Sequence, residues 1–425
     1  MSLAAVLEKL YTRRRFGIRP GVDRVSTLLA RLGNPEKKFR TVHVVGTNGK
    51  GSTSAFLSSI LAQAGYRTAQ FSSPHLVRFS ERFRINGDEY PADRLADRLE
   101  TVLNAAPDEA TFFEITTALG ALVFSDENIE IAVIEAGMGG RSDATAALTG
   151  EMTIITPIAL DHAEHLGTTL SDIAREKTGI IEPGTTVVCA DQADEVLAVV
   201  RHQTLLGNNP LHCFGRDFSV TWNSAGKLDY SGINMMLTGL VPGIAGHYQG
   251  QNAALAVAAA ELLASGGSAV SATAIELGIS AAYWPGRLEL IPGTPPLLLD
   301  GAHNPAGAAA LAEALAGYPR KRLLLVTGVC ADKNVDQIYA PLMPLVDLIY
   351  TVTPDVERGL QDKELSRFFA DNGLAARPCG TVVDGIRAAR NDAGPGDMIL
   401  VCGSLFVVGE VKAWLENRPY TGIRG

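Results

Sequence analysis

An α/β protein with mainly parallel strands is the fold the sequence predicts, and three observations carry it. Apolar strand-like runs alternate with helix-like segments along most of the 425 residues. A loop with three glycines joins the first well-defined run directly to a helix. Hydrophobic residues make up 46% of the chain and charged residues 20%, a globular balance that excludes a disordered or fibrous protein. The length suits two or three domains with ample core.

Residues 40–46 (RTVHVVG) read as a buried strand and 54–65 as a helix, with Leu57, Ile60, Leu61 and Ala64 on one face and Gly65 at its end. Strands follow at 68–71, 129–135, 152–156 and 186–190, with a helix around 114–125. From 211 to 237 alternation broken by a polar turn, NSAGK, predicts an antiparallel excursion on the edge of the first domain. Helices then occupy 249–264 and 272–280. The stretch 283–296 holds four of the 21 prolines and two glycines, so the domain boundary is placed there, giving 1–290 and 291–425. A second alternation begins beyond it, with strands at 297–300, 323–328, 348–353 and 398–402. Helices lie up to 316, near Val335, Leu365 and Ile386, and from Phe406. This reads as a smaller Rossmann-like domain.

Charge and cysteines narrow the function classes. Thirty-seven Lys and Arg against 46 Asp and Glu leave a net charge of -9, the wrong sign for coating nucleic acid or anionic lipid, so a polyanion needs a local site. Cys189, Cys213, Cys330, Cys379 and Cys402 are scattered and never form a CxxC pair; they read as reduced, small buried side chains of a cytosolic protein. The first residues, MSLAAVLEKLYTRRRFG, place a basic cluster after a short apolar stretch, the reverse of a secretory signal. No run approaches the roughly 18 apolar residues of a membrane span. The expectation is a soluble cytoplasmic protein.

Residues 42–55, VHVVGTNGKGSTSA, carry the most chemistry. A strand, a glycine loop and a helix in immediate succession let backbone N–H groups cradle phosphate oxygens, with Lys50 reaching the outer phosphates. This predicts a P-loop-type nucleotide-binding domain. The pattern is partial: Val44 takes the first glycine position, and Gly51 follows the lysine where a metal-binding Ser or Thr normally stands. Other oxygen donors or an imidazole must then hold Mg²⁺. Ser73, Glu135 and His162 stand at three other strand ends, where open α/β sheets bind ligands. Each alone reads as a turn serine, a solvated carboxylate or a structural histidine. By spacing alone Lys177 reads as an exposed helical lysine. Asp300, His303 and Asn304 form a polar knot where the second domain begins, with an N-cap before Pro305 as the competing account for Asn304. Arg287, in the linker, offers either a fork for phosphate or a surface ion pair.

Taken together, GTNGKGST (46–53), SSPHLVRFSERFRING (72–87), EAGMGGRSDAT (135–145), ALDHAEHLG (159–167), EKTGIIEPG (176–184), WPGRLE (284–289), DGAHNPAG (300–307) and CGSLFVVGEV (402–411) resemble the dihydrofolate synthase and folylpolyglutamate synthase family, relatives of the Mur ligases. The likeness runs nearly end to end. It implies a Mur-ligase-like ATP-binding domain followed by a glutamate-ligase domain. The implied reaction is ATP- and Mg²⁺-dependent joining of L-glutamate to dihydropteroate, or to the glutamate tail of reduced folates, through an acyl phosphate. Gly46, Thr47, Asn48, Gly49, Lys50, Gly51, Ser52, Asn252, Arg287 and Asp300 correspond to ATP contacts. Ser73, Glu135 and His162 correspond to Mg²⁺ ligands, and Lys177 to a lysine whose carbamylation supplies a ligand to a second ion, which overrides its bland reading. Lys50, Lys177, His303 and Asp300 make up the implied catalytic set, His303 and Ser404 placing the incoming glutamate. Thr111, Phe112, Phe113, Glu114, Ser142, Asp143 and Ala144 correspond to dihydropteroate-binding segments. Two Mg²⁺ ions, room for a monovalent cation and a monomer without nucleic-acid or membrane partners complete the implied picture. Two departures stand out: Glu357 replaces a proline of the family's PRA or PRG element before Arg358 and Gly359, and Thr178 replaces an alanine. Two alternatives are a Mur-type ligase acting on a peptidoglycan precursor and a nucleotide-binding regulatory protein that forms no amide.

Overall fold

A computed structural model describes residues 2–13, 21–265, 267, 269–420 and 422; Arg14 and Arg15 of the N-terminal basic cluster lie outside them. Eight strands form the first sheet: β1 (Arg40–Val45), β2 (Thr68–Phe71), β3 (Phe83–Ile85), β4 (Asp88–Glu89), β5 (Ile131–Glu135), β6 (Met152–Ile155), β7 (Thr186–Cys189) and β8 (Leu211–Cys213). Their order is β4-β3-β2-β5-β1-β6-β7-β8, parallel throughout except for β3 and β4. Every residue of β5 is buried, as expected for a parallel strand covered on both faces. Helices Lys50–Gln63, Gln249–Ser265 and Ala272–Ala281 share one core with Val42, Val44, Ile131 and Val133. Ala69, Phe71, Ala132 and Ile134 face the opposite core, against helices Ala92–Ala105 and Phe112–Asp126.

The antiparallel excursion starts later than the sequence suggests. Leu211 to Cys213 forms the parallel edge strand β8, paired with β7. Next, β9 (Ser219–Trp222), β10 (Leu228–Ser231) and β11 (Met236–Leu240) make a separate antiparallel sheet. It packs Leu228, Tyr230 and Leu240 into the core beneath helix Gln249–Ser265 instead of extending the large sheet's edge. A three-residue strand carries too little pattern to declare the direction of its partner.

The second sheet contains β12 (Glu289–Ile291), β13 (Leu297–Leu299), β14 (Leu323–Thr327), β15 (Leu348–Thr351), β16 (Ala376–Pro378) and β17 (Met398–Cys402), in the order β12-β13-β17-β14-β15-β16. All pairs are parallel except β12–β13. The proline-rich stretch read as linker thus contains an edge strand. We propose that the chain divides there, with Glu289 and Leu290 belonging to the second unit through their pairing with β13. Helices Pro305–Ala314, Asp362–Asp371, Val382–Asp392 and Leu405–Leu415 flank this sheet. Among the described residues no helix is long and apolar enough to cross a membrane.

Candidate active site

One cavity of about 400 Å³ gathers residues that follow β1, β5 and β6 of the first sheet and β13, β14 and β17 of the second. Both lobes therefore present the carboxyl ends of their parallel strands to the same space, where such sheets bind ligands.

The glycine loop forms one wall. Gly49 is the N-cap of helix Lys50–Gln63 with φ +85°, and a Cβ there would strike Asn252 Oδ1, so both conformation and space demand glycine. Lys50 curls back and donates to the carbonyls of Gly46 and Thr47, each at 3.2 Å. Pro157 O receives the N–H groups of Thr47 and Asn48, and Thr47 Oγ1 accepts the Ala159 N–H at 3.0 Å. The segment after β6 is thereby the floor of the loop.

Glu135 ends β5, is 5% exposed, and has a long 3.4 Å contact from the Ser73 N–H. Burial raises its carboxyl above the ordinary value, opposed chiefly by Lys50. Burial likewise lowers the His162 imidazole to about 4, so it is neutral near pH 7, the state a metal ligand requires. Lys177 is buried, not exposed: it is 2% accessible and donates to Gly46 O and Met138 O, both at 2.7 Å. Its helix, Leu170–Thr178, packs its last turn so tightly under the glycines after β5 that a Cβ at Gly140 would strike the Lys177 carbonyl. Burial, then Lys50, brings the amine down to about 7. Among the described residues no three His, Cys, Asp or Glu side chains form a metal-holding group by themselves. The donor set here is a hydroxyl, one carboxylate and one imidazole, which suits a hard cation completed by phosphate oxygens and water.

From the second lobe, Asp300 accepts from the N–H groups of Leu288 and Ala302, and burial raises its carboxyl against the opposing charge of Arg287. Asn304 caps helix Pro305–Ala314 through Gly307 N–H, and its amide also reaches Asn48 Oδ1 at 2.9 Å and Asp161 at 3.3 Å. The N-cap reading of Asn304 therefore holds, and the same side chain also links the two lobes. His303 turns Nδ1 to Gly301 O at 2.8 Å and Nε2 toward Asp161 at 3.7 Å. Ser404 caps helix Leu405–Leu415. Gly46 to Ser52, Ser73, Glu135, His162, Lys177, Asn252, Arg287, Asp300, His303 and Ser404 all line this one cavity. Asp161, Lys333 and Arg358 line it too and were not singled out as site residues. The segment around Glu357 places Arg358 at the cavity, next to the bridge of Gly359 to Cys330.

The remaining sequence-designated residues lie outside that lining. Thr111 and Glu114 form a capping box at the start of helix Phe112–Asp126, and Glu114 pairs with Arg24 at 2.8 Å. Phe112 stacks on Tyr11, while Phe113 covers Gly137, itself a lining residue. Asp143 folds its own loop by accepting from Met138 and Thr145, Ala144 is buried, and Ser142 donates its N–H to Glu176. These positions form a segment adjoining the cavity through Gly137.

Comparison with known proteins matches residues 44–260 to the Mur ligase middle domain and 286–405 to the Mur ligase glutamate ligase domain. Over 96% of this chain and 97% of its partner, it is 34% identical to the dihydrofolate synthase/folylpolyglutamate synthase of Bacillus subtilis. The chain belongs to the dihydrofolate synthase/folylpolyglutamate synthase family. Solved members of that family superpose closely on it. Escherichia coli FolC in complex with DHPP and ADP gives a TM-score of 0.90 at 31% identity, covering 98% of each chain. The bifunctional Yersinia pestis enzyme complexed with AMPPNP and a Mn ion gives 0.88 at 32%, again over 98% of each.

Proposed function

We propose that this family member is an ATP-dependent ligase joining L-glutamate to dihydropteroate and to the glutamate tail of reduced folates. One observation supports it above all: the glycine-loop lysine of the first lobe and the Asp300–His303 segment of the second converge on a single cavity. Phosphoryl transfer asks mainly for positioning and charge neutralisation. Lys50 and the N–H groups of Gly49 to Ser52 hold the phosphates, while Asn252, Arg287 and Asp300 hold the rest of ATP. Transfer of the γ-phosphoryl group to the substrate carboxylate gives an acyl phosphate. The amino group of glutamate, placed by His303 and Ser404, attacks its carbonyl, and phosphate leaves as the amide forms.

Ser73, Glu135 and His162 would hold Mg²⁺, and a carbamate on Lys177 would serve a second ion. When bound, the ions neutralise charge on the transferring phosphoryl group. An amine near 7 is partly neutral at physiological pH and able to add CO₂, which supports that assignment. Thr111 to Glu114 and Ser142 to Ala144 are proposed to take the pterin end, next to the cavity. Unpaired cysteines suit the cytoplasm, and a cavity completed within one chain suits a monomer.

The test is amide formation with L-glutamate and ATP, dihydropteroate and tetrahydrofolate being offered separately. Glutamylated product from at least one is expected. ATP hydrolysis without product from either, or product only from a nucleotide-linked muropeptide, overturns the reading.

A further inference from the structure

Cys189 and Cys213 end the neighbouring parallel strands β7 and β8 and stand directly in register. Registered residues point to the same face, and both thiols enter one core cluster with Ile155, Ile173 and Val196. Adjacent strands lie about 4.8 Å apart, within the roughly 4.4–6.8 Å Cα separation that a disulfide spans. The thiols already sense each other. Proximity of the two thiols lowers Cys213, helped by Arg216 and Arg201, and raises Cys189, which is also the more deeply buried.

The pair is wired to the glycine loop. Gln192 stands three residues beyond Cys189, in the segment that leaves β7. Gln192 donates to Thr156 O at 3.0 Å and accepts from Ile158 N at 3.0 Å. Those residues bracket Pro157, whose carbonyl receives the Thr47 and Asn48 N–H groups. We propose that Cys189 and Cys213 form a redox-responsive dithiol, closed to a disulfide by a hydroperoxide, and that closure shifts Gln192 and weakens nucleotide binding in the loop. In the balanced step, the Cys213 thiolate attacks the peroxide, giving a sulfenic acid and hydroxide. The Cys189 sulfur then displaces water from that sulfenic acid. Overall two thiols and hydrogen peroxide give one disulfide and two waters, the peroxide taking two electrons.

The nucleotide half of this proposal rests on the ATP-site reading; the thiol half does not. The full chain is treated with hydrogen peroxide at a dose that modifies the half-buried Cys379. Non-reducing peptide mapping is then read beside AMPPNP binding by calorimetry. The expected result is a linked Cys189–Cys213 peptide with affinity lowered about fivefold or more. Dithiothreitol should restore it, and Cys189→Ala and Cys213→Ala should be insensitive. Absence of the linked peptide overturns the dithiol, and a linked protein with unchanged affinity overturns the coupling. Reduced protein that fails to bind AMPPNP counts against the ATP-site reading, while the peptide map still decides the thiol chemistry.

Discussion

Lys333 of the second lobe places its ammonium 2.6 Å from Asp161 Oδ1 of the first, with side-chain exposures of 12% and 8%. His303 and His162 approach the other carboxylate oxygen at 3.7 and 3.8 Å. Burial works against the charge on Asp161, yet these three neighbours hold its carboxyl well below the usual range. A bridge of this kind ties two separate sheets together at the mouth of their shared cavity. Its loss should be felt in closure and not in either core.

Lys333→Met tests this. Removing one partner of a buried pair costs about 3–5 kcal/mol where nothing replaces it, and the exposure of Asp161 to the cavity reduces that figure here by letting water reach the carboxylate. The variant should keep its melting temperature within a few degrees while losing nucleotide-induced compaction in small-angle scattering and about tenfold or more in kcat/KM. Unchanged compaction and turnover would show that the pair does not govern closure.

Lys177 gives a pH signature. Its folded-state value is lowered from 10.5 to about 7, first by burial and then by Lys50. Between those values the unfolded chain binds more protons than the folded one, so stability rises with pH across that window. Below about 7 both states are protonated and the full penalty of burying the ammonium persists. Bicarbonate-free protein should resist urea better at about pH 9.5 than at about pH 7, and Lys177→Met should flatten the difference. With ¹³C-bicarbonate, a carbamate resonance should appear at the alkaline end and be missing from the variant. An equal slope in both proteins would contradict the assignment.

Placement after parallel strands singled out Lys50, Glu135 and His162 in the sequence, the first two beside glycines, although no one of them alone decides the chemistry. Lys333 lies in the loop after β14, five residues beyond Gly328, and its partner lies 172 residues away, so no local pattern joins them. Asp161, beside His162, looks like any loop carboxylate until Lys333 arrives. The burial of Lys177 was equally hidden, since periodicity gives a helix its faces but not what covers them. Among the strands, β12 hid among prolines and three-residue β16 left no period to count, whereas β1, β5 and β17 showed as continuous apolar runs.

Glu135 separates metal binding from stability. Burial disfavours its charged form, so Glu135→Gln removes a desolvation cost while leaving shape and backbone contact. The expected outcome is a melting temperature equal to or above that of the parent, with the Mg²⁺ concentration for half-activation raised about tenfold or more. Mn²⁺ titration with AMPPNP, followed by electron paramagnetic resonance, should show the same loss without turnover. A destabilised variant with unaltered ion binding would make Glu135 a structural carboxylate.

Gly51 explains why the hydroxyl usual after the loop lysine is missing. A Cβ at this position would lie 2.6 Å from Trp284 Nε1 and 2.8 Å from its Cε2, so the indole of the interdomain stretch occupies the space. Trp284 also packs against the first-lobe core and carries Arg84 over its ring at 5.8 Å, so it cannot yield freely. Gly51→Ser therefore should not create a useful metal ligand. It should push the indole outward, red-shift tryptophan emission and lower kcat, because the displaced stretch leads directly to Arg287 at the cavity. The shift should vanish in Gly51→Ser/Trp284→Phe, where only Trp222 and Trp414 remain to emit. A serine variant with parental emission and higher activity would mean that the loop accepts a hydroxyl after all, and that Ser73 is not needed in its place.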